Sequence, residues 1–379
     1  MWWRMWLLGS AILYAAVNSQ AAGPGVELPP GLLVVDANSG AFLQGTRADE
    51  PRPAGALHHW MLLLAAQEQA ALETLPLEAP VAVSRETVAD WSKNRVEVLR
   101  LDPARTYLLS DLLKAVALAG SDLAAVVAAE AMWGSRETAL EALNERARRL
   151  GLTVTRFSSL RADDPGNVTT AREAALIAVR LAQPSSLLRQ WSTLRAIPFD
   201  DGRRVLANRN WLPETRFSWG YLDRVGGPPK QIARLAAVCA ERGDLKLLAV
   251  SVGAAPTKDV LANLEQALAA IEQEYEQVRL VRAEEALQIR IEVEGGKRKS
   301  VVPIAGQDFA LPLRRGMTTQ GLQVRYQLPS AVTAPVARGE VLGEVIIEQE
   351  GRVLAVIPAV SPVTIEAQGV QAARGPVQP

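Results

Sequence analysis

The sequence predicts an α/β (α+β) domain with an antiparallel sheet and a helical subdomain, followed by a small all-β sandwich domain. Three observations carry this expectation. Strand-like runs stand at both ends of segment 31–280, with helical patterns between them. The run from Leu57 to Gln69 is almost wholly apolar and follows a Pro-Ala turn, the pattern of a helix buried on most sides. After Glu285 the pattern alternates with period two, broken by Gly and Pro turns and by no helical run. At 379 residues the chain is long enough for two domains with real cores.

Taken in order, residues 1–21 read as a secretory signal peptide. Arg4 precedes an apolar run from Met5 to Val17, and Ser19-Gln20-Ala21-Ala22 offers a small-residue cleavage site. The run is shorter than the roughly 20 residues of a spanning helix, so a membrane is a partner only if the segment stays uncleaved. Residues 22–30 are linker-like. Gly31–Asp36 and Ala41–Gly45 form a hairpin through Asn38-Ser39-Gly40. Beyond the central helix, Thr87 to Arg105 is mixed and loop-like. Helices are expected over Leu109–Leu118, Asp122–Met132 and Arg136–Leu150, punctuated by Gly120 and Gly151. Another runs to Leu181, with Thr170 and Glu173 in capping-box spacing.

Arg204–Asn208 is short and extended. Ile232–Glu241 and Leu245–Val252 pair through Arg242-Gly243-Asp244. An amphipathic helix is expected from Asp259 to about Arg279, on the spacing of Leu261, Leu264, Leu268, Ile271 and Tyr275. The β domain occupies 281–368, and the Gly/Pro/Gln-rich 369–379 reads as a disordered tail.

Composition narrows the function. Lys plus Arg and Asp plus Glu both number 41, which gives no electrostatic case for nucleic acid. Cys239 is alone, so there is no disulfide framework and no Cys-based metal site. Gly226-Gly227 is not followed by a phosphate-loop pattern. No cofactor is implied.

Leu33-Val-Val-Asp-Ala-Asn-Ser-Gly, Pro53-Ala54 before the central helix, Leu150-Gly-Leu-Thr-Val-Thr-Arg-Phe, Thr170-Ala-Arg-Glu-Ala-Ala-Leu-Ile-Ala and Asn208-Arg209-Asn210 follow one another in order. Together with Ala334-Pro-Val-Ala-Arg-Gly-Glu-Val-Leu-Gly, they give a chain that resembles the D-alanyl-D-alanine carboxypeptidases, the low-molecular-mass penicillin-binding proteins of the bacterial periplasm. The resemblance implies a serine β-lactamase/penicillin-binding-protein-like fold and a periplasmic location. It also implies peptidoglycan stem peptides or cell-wall proteins as partners.

The family's chemistry sits in three motifs. The Ser of Ser-x-x-Lys attacks the D-Ala-D-Ala carbonyl after the Lys, one helical turn on, takes its proton. Ser-x-Asn relays protons, and Lys-Thr-Gly holds the substrate carboxylate. Carried over by position, Ser-x-x-Lys falls on Gly55-Ala56-Leu57-His58, or one residue later on Ala56-Leu57-His58-His59. Ser-x-Asn falls on Ala119-Gly120-Ser121 and Lys-Thr-Gly on Arg224-Val225-Gly226. No serine stands three residues before any lysine. The expectation is therefore an exported, catalytically inactive relative. The alternatives are a rewired active site and a scaffold acting through the β domain.

Each candidate has a plain structural reading beside the functional one. His58 or His59 as a general base lacks the hydroxyl it would work on, so one is expected to be a hydrogen-bonded core residue and the other a helix-terminus residue. A metal site is not expected: adjacent helical residues point about 100° apart, and no third His is present. Ser121 as a replacement nucleophile has no positioned base, which leaves it as a polar residue lining a cleft. Arg224 could pair a substrate carboxylate bidentately with Gly226 beside it. Its plain reading is an exposed strand-edge Arg.

Overall fold

The structure, a computed structural model, describes residues 28–92, 99–183, 185–209, 217–225, 232–316, 321–349 and 352–368. The signal segment 1–21, most of linker 22–30, Asn210, Gly226 and tail 369–379 lie outside the described residues. The chain divides into two compact units at Glu274/Tyr275.

In the first unit, five antiparallel strands form one sheet in the order Phe42–Thr46, Leu32–Asp36, Leu245–Pro256, Ile232–Arg242 and Trp219–Val225. The apolar run Leu32–Val35 lies wholly in the core, as a central strand covered on both faces requires. Its turn is fixed by Asp36, whose carboxylate accepts hydrogen bonds from the backbone N–H (2.7 Å) and the hydroxyl of Ser39. The long hairpin closes at Gly243, whose φ of +58° suits glycine.

Eight helices complete the described part of this unit: α1 Leu57–Ala71, α2 Arg85–Ser92, α3 Leu109–Ala119, α4 Asp122–Trp133, α5 Arg136–Arg149, α6 Ala171–Leu181, α7 Leu187–Ser192 and α8 Thr257–Glu274. Every residue of α1 from Leu57 to Ala66 is buried, because α3, α4, α5 and α6 all pack around it. Helix α3 stops at Gly120 (φ +65°), a left-handed cap. The next residue, Ser121, accepts a hydrogen bond from the Ala124 N–H at 3.0 Å and so starts α4.

Two stretches differ from the sequence reading. The mixed segment after Thr87 contains α2, which Ser84 caps through the Glu86 and Thr87 N–H groups and which buried Trp91 anchors. The helix expected to reach Arg279 ends at Glu274. Tyr275–Val281 instead pairs antiparallel with Phe309–Arg314, so strand partners override the helical spacing.

The described residues of the second unit form strands and connecting loops. A four-stranded sheet (304–305, 352–360, 341–349, 322–327) and a three-stranded one (300–301, 291–294, 331–333) accompany that ladder. Val345, Ile347 and Ile357 centre one apolar cluster, and Ile291, Val293 and Ile365 another. Among the described residues no helix is long and apolar enough to cross a membrane.

The Thr170–Glu173 pair works as half a capping box. Thr170 accepts from the Glu173 N–H (3.1 Å), but the Glu173 carboxylate reaches the loop before it. There it accepts from the Val154 N–H (2.9 Å), the Thr155 N–H (2.6 Å) and the Thr155 hydroxyl (2.6 Å). Glu173→Ala would leave the buried Thr155 N–H unmet and strip the Val154 N–H of its acceptor, so the variant should lose about 1–3 kcal/mol in denaturant unfolding; a loss under 0.5 kcal/mol, the size of a plain surface change, would contradict this.

Candidate functional site

The site begins where the Arg52–Pro53 strand, paired with Val168–Thr169, enters α1. Ala54 donates its N–H to the Asn167 carbonyl (2.9 Å), and Gly55 turns the chain with φ +54°. No side chain caps α1. Instead the carboxylate of Asp223 accepts from the Ala56 N–H at 3.1 Å, meeting one of the free donors of the first turn. A Cβ on Gly55 would stand 2.8 Å from Asp223 Oδ2 and 3.0 Å from Arg234 Cβ. The space beside the first mapped position is therefore filled.

His58 and His59, the second and third residues of α1, are both fully buried. They also converge. His59 Nε2 lies 2.9 Å from Asp122 Oδ1, and His58 Nε2 lies 3.3 Å from the same oxygen. The 100° between adjacent positions describes where the side chains leave the helix; two torsions per histidine then bring the ring tips together. The rings meet edge to face, 4.2 Å between centroids. His58 is nonetheless not aligned for that hydrogen bond, and neither of its ring nitrogens has a hydrogen-bond partner.

Asp122 is the first residue of α4, brought here by the Gly120-Ser121 corner. Its second oxygen accepts from the Ala162 N–H at 3.1 Å. His59 Nδ1 faces the Tyr221 hydroxyl at 3.3 Å. Tyr221 and Asp223 are two residues apart on the strand Trp219–Val225, and so share a face.

Burial acts to raise the Asp122 carboxyl, but the His58 and His59 imidazoles beside it outweigh burial and hold the group well below the usual carboxylate range. Burial and the charge of His58 pull His59 down to about 4 against the pull of Asp122, leaving it neutral near pH 7. Burial, with the Asp122 charge added, pushes Asp223 up to about 6; Arg234, the Ala56 N–H and His58 oppose it. Tyr221 is raised well above its usual value by burial and by Asp223 and Asp122.

The mapped residues fare differently. Gly55 and His58 join this cluster. Ala119 ends α3 and is buried. Ser121 has no exposure and its hydroxyl caps α4, so it does not line a cleft as expected. The Arg224 backbone pairs with Ala233 at the end of the strand Trp219–Val225; its side chain and Gly226 lie outside the described residues. A hollow of about 400 Å³ beside Leu75, Val81, Leu109 and Glu130 is lined by none of the cluster residues.

Sequence reading missed Asp122, Tyr221 and Asp223. The available signal was adjacency: Asp122 follows Ser121 and Asp223 precedes Arg224, each a carboxylate in an apolar run beside a mapped position.

Comparison with known proteins matches residues 30–215 to the D-alanyl-D-alanine carboxypeptidase family model. Residues 275–367 match that of the penicillin-binding protein 5 C-terminal domain. The chain is 24% identical to D-alanyl-D-alanine carboxypeptidase DacF of Bacillus subtilis, over 68% of this chain and 66% of that one. It is 25% identical to D-alanyl-D-alanine carboxypeptidase DacC of Escherichia coli, over 95% of this chain and 91% of that one. The crystal structure of penicillin binding protein 5 from Haemophilus influenzae superposes with a TM-score of 0.64 at 19% identity, covering 91% of this chain and 99% of that one. At that identity the likeness speaks for the fold.

Asp223 has a testable pH signature. With its carboxyl raised from 3.8 to about 6 on folding, the folded state holds the proton more tightly, so this group costs stability as pH rises through that window. Asp223→Asn keeps an acceptor for the Ala56 N–H without the charge. It should be about 1–3 kcal/mol more stable than the wild type above pH 7, with the advantage shrinking below pH 6 and gone near pH 4. Urea unfolding at these three pH values checks it; a variant less stable than wild type at pH 7.5 would refute it.

Proposed function

The chain belongs to the D-alanyl-D-alanine carboxypeptidase family, and from that premise we propose that it is an exported, non-acylating member that serves the cell wall by binding. The observation that carries this reading is the state of Gly55. The first mapped position has no hydroxyl, its backbone is left-handed, and the Asp223 carboxylate fills the space a side chain would need. The other identities needed for the acyl step are also replaced, with His58 for the Lys and Ala119 and Ser121 in the second motif.

The relatives' activity points to stem peptides of peptidoglycan as the ligand of the ancestral cleft. Burial of Gly55, His58, Ala119 and Ser121 speaks against that ligand reaching these side chains here. A cell-wall protein as partner is the reading we favour. A rewired enzyme using Ser121 has less support, since that hydroxyl accepts from the Ala124 N–H inside the core.

Purified full-length protein should show no covalent labelling by a fluorescent penicillin and no D-alanine release from a pentapeptide. Labelling competed by unlabelled penicillin and lost on prior heat denaturation would overturn the proposal. Reinstating the motif should not restore activity either. Gly55→Ser forces a side chain onto a φ of +54° and against Asp223, at a cost of about 1–3 kcal/mol. We expect the Gly55→Ser/His58→Lys double variant to stay unlabelled, and efficient labelling of it would show that the site is less filled than described.

A further inference from the structure

His58 is a buried polar side chain that the cluster leaves unmet. It has no solvent exposure, and neither ring nitrogen has a hydrogen-bond partner, although Nε2 lies 3.3 Å from Asp122 Oδ1. Buried polar groups without partners are uncommon and ask for an explanation. His59 Nε2 reaches the same oxygen at 2.9 Å, and one donor atom from each of the three residues lies within 4.8 Å of the others. Around a tetrahedral zinc ion with ligand bonds of about 2.0–2.1 Å, neighbouring donor atoms stand roughly 3.3 Å apart. Separations of 2.9 and 3.3 Å are close to that edge.

We propose that His58, His59 and Asp122 form a structural site for a divalent transition cation of the zinc type, which ties the first turn of α1 to the first residue of α4. The donor set selects the class: two imidazoles and a carboxylate suit zinc and its first-row neighbours, whereas magnesium and calcium prefer all-oxygen sites. An outer shell already orients the ligands. Tyr221 Oη stands 3.3 Å from His59 Nδ1, where it can accept that N–H and leave Nε2 to the metal. The Ala162 N–H holds the second oxygen of Asp122 at 3.1 Å. Asp223, whose carboxyl feels the charges of both Asp122 and His58, supplies a second negative group in the same buried region. With His58 and His59 fully buried, the ion would act as a staple and not as a catalyst. The inference is independent of the non-acylating reading, and penicillin labelling would leave it standing.

The test uses the untagged full-length chain, refolded with zinc chloride or cobalt chloride and then dialysed. One zinc per chain, a higher melting temperature than the metal-free protein, and visible ligand-field bands on cobalt binding are expected. His58→Gln and Asp122→Asn should each lower affinity more than 100-fold, and Tyr221→Phe by about 10- to 100-fold, the usual effect of an orienting partner. His58 and His59 are the only histidines of the chain. Nitrogen-15 spectra of histidine-labelled wild type therefore report on this site alone, even if a variant fails to fold. Zinc-dependent shifts of both imidazoles would support the site. No retained metal, unshifted imidazoles, or undiminished binding by folded His58→Gln and Asp122→Asn would each overturn it.

Discussion

The first turn of α1 is held between two buried carboxylates, and the rest of the site follows from that arrangement. Asp122 comes from α4 and faces both imidazoles, while Asp223 comes from the strand Trp219–Val225 and takes the Ala56 N–H. Burying a carboxylate costs several kcal/mol unless it is paired and hydrogen-bonded. Asp122 meets that requirement through His59 and the Ala162 N–H. Asp223 meets it less completely and keeps its proton up to about pH 6. Because the helix behind these contacts is buried on every side from Leu57 to Ala66, it has no other seat in the unit.

Backbone devices place these groups. Gly120 in its left-handed conformation ends α3, Ser121 starts α4, and Asp122 is delivered one residue later beside α1. The alternation of the strand sets Tyr221 and Asp223 on one face. The Gly120-Ser121 corner depends on a glycine and a capping hydroxyl and not on reactive groups. The side chains at the corners are a different matter. At Gly55 and His58, the positions we propose as counterparts of the family's nucleophile and ammonium, this chain carries glycine and imidazole. The carboxylates that face them stand one residue after the second mapped motif and one residue before the third.

The helices α3 to α6 were legible because apolar periodicity and terminal signals agree locally: Gly120, Gly151 and Thr170 punctuate them as their chemistry requires. The long hairpin was legible for the same reason at Gly243. Helix α2 was not, because its anchors Trp91 and Val88 are few and its cap is a single serine. The end of α8 was misread because Tyr275 fits helical spacing but finds a strand partner in Arg314.

By itself, the sequence determined the family scaffold and the two-part organisation, which rest on identity and order along the chain. Whether the two histidines met, and what met them, was decided only by tertiary structure. Asp122 and Asp223 stand 63 and 167 residues from the atoms they bind. No local pattern records such contacts. They exist because a helix corner and a strand edge both close on the same turn of α1, in a region where a buried charge must find its partner nearby or give up its charge.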